Sequence, residues 1–288
     1  MEQQLIDTIK QGLGDGSIIP YLGAQALTGS VNLQSGEPIP ADSDSLILAM
    51  NGGRPMAPKL MYEFPRAAMN LELKRGRSFV TRFLNTLYGE TEWSRAPLHD
   101  WLKAIKPACV VDINRDLQLQ QSYSDTPHNL MLGIARIGGT DFRYKLYHYD
   151  GTKYQEISNE QADPSLPLLL KPMGSPQPEA NYIASDADYV DYITELMGGF
   201  GVPKFFKAYR KEKRYLLLGL RLNRDTERMV LADLTYDRAG EGGWAVIPNA
   251  TDKEKRFCRN KLGIEVLDMP LAEFMGALGV EIPETVEA

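Results

Sequence analysis

Three apolar runs in this chain end in residues able to do chemistry. The first, Ile18-Ile19-Pro20-Tyr21-Leu22, opens into Gly23-Ala24-Gln25. Small side chains at such a turn let an anion approach main-chain N–H groups, which is the chemistry of phosphate binding. The same turn also serves plain packing at many strand ends, and the spacing is not Gly-x-Gly-x-x-Gly. The second run, Ala108-Cys109-Val110-Val111, ends in Asp112-Ile113-Asn114-Arg115-Asp116. Two carboxylates around one amide could hold separated pKa values and face a developing positive charge. Asp116 could equally cap the helix that follows. The third, Leu168-Leu169-Leu170-Lys171, runs into Pro172-Met173-Gly174-Ser175.

Histidine and cysteine narrow the field. Only three histidines occur. His99 lies at a helix start and reads as a structural hydrogen-bond donor. His128 follows Thr126-Pro127 in a loop, where it either reaches the crevice of the second strand end or has no role. His148 belongs to a surface hairpin. Cys109 and Cys258 are far apart and lack partners at metal-ligand spacing, so neither a zinc module nor a disulfide framework is expected. No metal site is expected.

The net charge of −6 over 288 residues argues against a nucleic-acid binder, which would be basic. The basic cluster Lys204, Lys207, Arg210, Lys211, Lys213 and Arg214 reads as a solvated helix face. No apolar run approaches the roughly 20 residues of a membrane span, and Met1 to Ile6 lacks a signal-peptide pattern. A cytoplasmic protein without membrane contact is expected.

Apolar runs at 18–22, 108–111, 168–171, 215–219, 244–247 and 264–267 alternate with helical periodicity. The alternation predicts an α/β fold, a Rossmann-like doubly wound parallel sheet with helices on both faces. Ser43 or Asp44 reads as the cap of a helix over 43–50. One domain is expected, with a helical insertion over about 31–105 and a β-hairpin excursion over about 127–162 packed on the sheet.

Taken in order, these strand ends resemble the bacterial sirtuin-like (silent-information-regulator-like) NAD-consuming family. Ile19 to Ala24 stands for its Gly-Ala-Gly loop and Val110 to Asp116 for its strand ending in Thr-Asn-x-Asp. Leu170 to Ser175 stands for Lys-x-His-Gly-Ser, Ser185 to Val190 for the acidic-Tyr helix start, and Leu217 to Leu222 for the late glycine strand. Trp244 to Pro248 and Val266 to Phe274 stand for the closing strands and helices. The resemblance covers residues 15–280 and implies NAD as cofactor, held by Gly23, Ala24, Gln25, Gly174, Ser175, Gly219 and Arg221. It implies catalytic roles for Asn114 and Asp116 at the nicotinamide ribose.

Three departures set the expected function. Met173 stands where the family has its general-base histidine, and a thioether is only a weak hydrogen-bond acceptor. Gln25 replaces a glycine, and Arg221 replaces a small residue, either to meet a phosphate or to block the pocket. The reading is therefore an NAD- or ADP-ribose-binding protein, catalytically impaired, acting as a sensor or partner-binding module. The alternative is a divergent NAD hydrolase of the defence or nitrogen-fixation-associated bacterial type. Deacylation is not expected. A homo-oligomer is expected from the aromatic and Met-rich segments at 60–70 and 195–206, and a protein partner from the reading of Met173 as the mark of an inactive module.

Overall fold

Five consecutive buried residues, Ile18–Leu22, form the first strand, β1. Side chains alternate across a strand, and both faces of this one are covered. Ile18 and Leu22 enter one hydrophobic core, while Ile19 and Tyr21 enter another. The same alternation divides β2 (Cys109–Asp112), where Val110 opposes Cys109 and Val111. A near-continuous apolar run is what a doubly covered parallel strand requires. The computed structural model describes residues 3–135, 142–195, 202–235 and 242–283.

The remaining strands are β3 (His128–Gly133), β4 (Tyr144–Tyr149), β5 (Tyr154–Ile157), β6 (Leu168–Lys171), β7 (Gly174–Ser175), β8 (Asn181–Tyr182), β9 (Arg214–Leu218), β10 (Gly243–Val246) and β11 (Ile264–Leu267). Nine of them make one sheet in the order β11-β10-β9-β1-β2-β6-β3-β4-β5, and β7 pairs with β8 as a separate ribbon. Pairing is parallel from β11 through β3 and antiparallel at β3–β4 and β4–β5. From β1 the chain builds outward first on the β2 side and later on the β9 side. The carboxyl ends of β1, β2 and β9 therefore border a topological switch point, where open α/β sheets form their crevice.

The helices are α1 (Gln3–Gly14), α2 (Ser43–Met50), α3 (Pro58–Met61), α4 (Phe64–Arg75), α5 (Arg77–Asn85), α6 (Pro97–Ile105), α7 (Gln118–Ser122), α8 (Asp186–Glu195), α9 (Lys204–Arg210), α10 (Asp225–Leu234), α11 (Asp252–Phe257) and α12 (Leu271–Ala277). One face of the sheet is covered by α1, α6 and α12 through Ile9, Leu102 and Phe274. The other is covered by α8, α9 and α10 through Tyr192, Phe206 and Leu231. Among the described residues no helix is long and apolar enough to cross a membrane. Residues 196–201, part of the segment expected to support oligomerisation, lie outside those described.

Four expectations need correction. Residues 128–133 are not an excursion on the sheet. All six are buried, and β3 pairs in parallel with β6 from Asn129↔Leu168 to Leu132↔Lys171. Only β4 and β5 extend the edge as a hairpin, turned by Asp150 and Gly151, with Asp150 Oδ1 accepting from the Thr152 and Lys153 N–H groups. The helical insertion has its own core, Leu46, Phe64, Leu71, Val80 and Leu84 among others, but α6 leaves it, because Leu98 and Leu102 pack on the sheet. The cap of α2 is Asp42, whose Oδ1 accepts from the N–H groups of Asp44 and Ser45 at 2.9 and 3.0 Å. Arg210 of the basic cluster is buried, its guanidinium donating to the Leu234 carbonyl at the end of α10.

The insertion is tied to the sheet layer by charge. Arg77 donates to the Tyr182 carbonyl at 2.7 Å and pairs with buried Asp188. Asp188 Oδ2 also accepts from the N–H groups of Ala184 and Ser185, both at 2.9 Å, closing the start of α8.

Candidate functional site

The crevice is built where β1 and β9 end. The next residues, Gly23 and Gly219, touch each other. Gly23 N–H donates to the Leu218 carbonyl at 2.8 Å, and Gln25 N–H donates to the Gly219 carbonyl at 3.1 Å. A Cβ on Gly23 would lie 2.5 Å from the Gly219 oxygen, and one on Gly219 would lie 2.8 Å from the Ala26 nitrogen. Gly219 also has φ +73°, a region L side chains avoid. Gly219→Ala should therefore cost more than Gly151→Ala, whose φ of +99° is equally unfavourable but whose Cβ would meet open space. The left-handed backbone alone costs about 1–3 kcal/mol, and the contact with main chain adds about 1 kcal/mol or more for overpacking. Urea unfolding of the two variants checks the difference.

The second strand end is held by a buried charge cluster. Asp112 Oδ1 accepts from the Asn114 N–H at 3.0 Å and from Asn114 Nδ2 at 2.9 Å. Asn114 Nδ2 also donates to the Gly23 carbonyl at 2.9 Å, joining the ends of β2 and β1. Lys171 Nζ donates to Asp112 Oδ2 at 2.8 Å and lies 3.8 Å from Asp116 Oδ2, with all three side chains buried. Burial pushes the Asp112 carboxyl up to about 6, against the pull of Lys171. A ligand atom of His99 lies within 4.8 Å of carboxylate oxygens of Asp112 and Asp116. The Lys171 ammonium already supplies the positive charge of this group.

His99 departs from expectation. Neither ring nitrogen has a hydrogen-bond partner among the described residues, and burial lowers its pKa to about 3. Burial of the ring outweighs the opposing pull of the Asp116 carboxylate. The sign of the consequence follows from the unfolded chain, where histidine titrates near 6.5 and so binds the proton first. Stability from His99 is complete above pH 6.5 and is lost as pH falls toward 3, by about 1.4 kcal/mol per pH unit. Urea unfolding from pH 7 to pH 4 should show this slope in the wild type relative to His99→Leu.

Above the Asn114 turn lies a cavity of about 60 Å³. Its sheet side is Ala24, Asn114, Arg115 and Met173, its helix side Tyr189, Thr226 and Glu227, and its cap Ser43, Leu46, Phe64 and Pro65 from α2 and α4. Met173 is buried, and its sulfur accepts a hydrogen bond from the Tyr189 hydroxyl at 3.0 Å. Arg115 Nε donates to the Ile183 carbonyl at 3.0 Å, and its guanidinium covers the Phe64 ring at 5.3 Å. Glu227 presents a buried carboxyl oxygen with no hydrogen-bond partner among the described residues.

Of the residues singled out from sequence, Gly23, Ala24, Gln25, Asn114 and Gly219 come together here. Gly174 and Ser175 lie in the β7–β8 ribbon, where Ser175 Oγ accepts from Gln120 Nε2 at 2.8 Å, and neither lines the cavity. Asp116 accepts from the Gln118 N–H at 2.6 Å at the start of α7 and lies beneath the cavity wall with Lys171. Arg221 is exposed and outside the lining. His128 does not reach the crevice. It begins β3, at the amino end of the sheet, with Nδ1 bonded to the Thr126 carbonyl at 2.7 Å and Nε2 to the Tyr154 hydroxyl at 2.8 Å. Arg115, Tyr189 and Glu227 join the site without a sequence signal of their own. The first two lie inside the motifs Val110–Asp116 and Ser185–Val190, whereas nothing local marks the glutamate.

Two observations test whether a dinucleotide fits. The lining offers Asn114, Arg115, Tyr189 and Glu227, a donor and acceptor set suited to a hydroxyl- and phosphate-bearing ligand. Yet the N–H groups of Gly23, Gln25 and Ala26 are already bonded to protein carbonyls, and the turn after Gly23 is only a four-residue 3₁₀ helix. About 60 Å³ holds a few waters at roughly 10–15 Å³ each. Pockets for drug-sized ligands begin near 300 Å³. The polar groups fit such a ligand; the volume fits it only with the α2–α4 cap displaced.

A family model described as a SIR2-like domain matches residues 111–267, more than half of the chain. The match runs from β2 through β11 and includes Asn114, Met173, Gly219 and Glu227. Among curated proteins, none matches the chain. Proteins of this family bind NAD-type small molecules. With its mostly parallel, doubly covered sheet and the crevice at its switch point, the chain belongs to the SIR2-like domain family.

Proposed function

We propose that this SIR2-like protein binds NAD or ADP-ribose in the crevice beneath the α2–α4 cap, does not cut the nicotinamide bond at an enzyme's rate, and acts as a sensor or partner-binding module. The observation that carries the reading is Met173. By the resemblance it stands for the family's histidine; it lines the cavity wall, and its sulfur is engaged by the Tyr189 hydroxyl at 3.0 Å. A thioether does not take up a proton at neutral pH, and loss of a general base removes about 10²–10⁴-fold in rate. Gly23, Ala24, Asn114 and Gly219 serve as the ligand-facing turn ends, with Gln25 beside them. Gly174, Ser175, Asp116 and Arg221 are left to positioning the loops or to a wider, opened site.

The competing reading is a divergent NAD hydrolase. It is favoured by Glu227, the one carboxyl among the described lining residues, which accepts a proton from a ribose hydroxyl only in its ionised form. Calorimetry with NAD and ADP-ribose, run beside an assay of nicotinamide release, separates the two. Binding without release supports the sensor. Release at about 1 s⁻¹ or faster, the ordinary enzyme range, supports the hydrolase. Binding of neither ligand overturns both.

A further inference from the structure

Glu227 stands in the first turn of α10, directly after the Gly219 loop. A helix start favours an anion, but its surroundings act the other way. One oxygen of the carboxyl is buried without a hydrogen-bond partner among the described residues. Glu63, the residue before α4, is buried nearby, its Oε1 accepting from the Thr226 hydroxyl at 2.9 Å and the Thr226 N–H at 3.3 Å. Asp42 at the cap of α2 adds a further negative charge, and Tyr21 of β1 and Tyr189 of α8 also face the carboxyl.

The nearby cations are committed elsewhere. Arg224 stacks on the Tyr62 ring at 4.6 Å. Arg228 pairs with Asp225 and donates to the Leu222 carbonyl at 2.6 Å. Arg115, across the cavity, donates to the Ile183 carbonyl. Burial first, then Glu63 and Asp42, push the Glu227 carboxyl up to about 8 against the opposing pull of Arg224 and Arg228. At neutral pH the group is an O–H donor facing a small polar cavity, and a buried donor without an acceptor is costly.

We infer that Glu227 is the recognition residue of this crevice: as a carboxylic acid it donates its O–H to an acceptor oxygen of the bound nucleotide, a ribose hydroxyl or a phosphate oxygen. The ligand is then held only while the carboxyl keeps its proton. The inference rests on the binding reading above and adds to it the residue that recognises the ligand and the pH that releases it. No bond is made or broken.

The test is calorimetry with ADP-ribose from pH 7 to pH 9. Apparent affinity scales with the fraction of protein in the competent form. Wild-type binding should therefore be about tenfold weaker at pH 9 than at pH 7. Glu227→Gln keeps an N–H donor that does not titrate, so it should bind within about threefold of wild type at pH 7 and show no such fall. Glu227→Ala, with no donor, should bind about tenfold more weakly at both pH values. A second readout needs no ligand: the carboxyl ¹³C resonance of Glu227 in the free protein should titrate near pH 8 and be missing from Glu227→Gln. Flat wild-type affinity, a persisting pH fall in Glu227→Gln, or a carboxyl midpoint near the ordinary 4–5 would overturn the inference while leaving the binding reading intact. No ADP-ribose binding at any pH defeats the binding reading and the inference together.

Discussion

Replacing Lys171 by methionine is expected to lower the free energy of unfolding by about 3–5 kcal/mol, the usual cost of stripping one partner from a buried ion pair. Lys171 and Asp112 have fully buried side chains 2.8 Å apart, and among the described residues Asp116 Oδ2 has no hydrogen-bond partner and lies 3.8 Å from the ammonium. With the lysine gone, Asp112 must stay charged in an apolar layer or take up a proton at a pH well above its present midpoint. The second variant in the experiment is Lys171→Met with Asp112→Asn. The amide keeps the acceptor that orients Asn114 and removes the charge orphaned at residue 112, while Asp116 stays without its cation, so the double variant should recover part of the loss but not all of it. Urea unfolding at pH 7 measures all three proteins. A single-variant loss under about 1 kcal/mol, the value of an exposed pair, would mean that water reaches this cluster.

Met173→His should raise nicotinamide release from NAD by about 10²–10⁴-fold over wild type, the ordinary worth of a positioned general base. Residue 173 lies two residues past the end of β6, in the cavity wall, and the Tyr189 hydroxyl that now meets sulfur at 3.0 Å would meet an imidazole nitrogen instead. That contact fixes the ring, which a base requires. The variant is interpretable if it melts near the wild type and keeps ADP-ribose affinity within a few-fold. Release unchanged under those conditions would show that a base at residue 173 is not what limits the site.

The repeating part of the fold was readable because its physics is local. A strand buried on both faces needs four or five apolar residues in a row, and Val110-Val111, Leu168-Leu169-Leu170 and Leu216-Leu217-Leu218 advertise themselves. β3 was misjudged for the same reason in reverse. His128 and Asn129 open it with polar groups, and His128 Nε2 and Asn129 Nδ2 find Tyr154 and the Asp163 carbonyl only in the fold, so its place beside β6 could not be read from periodicity. α6 shows periodicity correctly, but nothing in Leu98 or Leu102 says which of two cores they join.

The site divides along the same line. Gly23 and Gly219 stand out in sequence because a close backbone approach tolerates little else. Asn114 and Asp112 follow from their two-residue spacing. Lys171 reads as the end of a strand, whereas its role as counter-ion depends on β2 and β6 being neighbours. Glu63 and Glu227 are distant in sequence and ordinary in type. Their chemistry arises only when the insertion folds down over α10, burying Glu63 and one carboxyl oxygen of Glu227.

The central claim is that ligand enters where Gly23, Asn114 and Gly219 meet, by lifting the α2–α4 cap. Hydrogen exchange of the wild type, read with and without saturating ADP-ribose, tests it most directly. Changed protection should concentrate in residues 23–27, 113–116 and 219–227 and in the cap at 43–65, while the β4–β5 edge stays as it was. Binding accompanied by changes only elsewhere, with these four segments unaltered, would contradict the account.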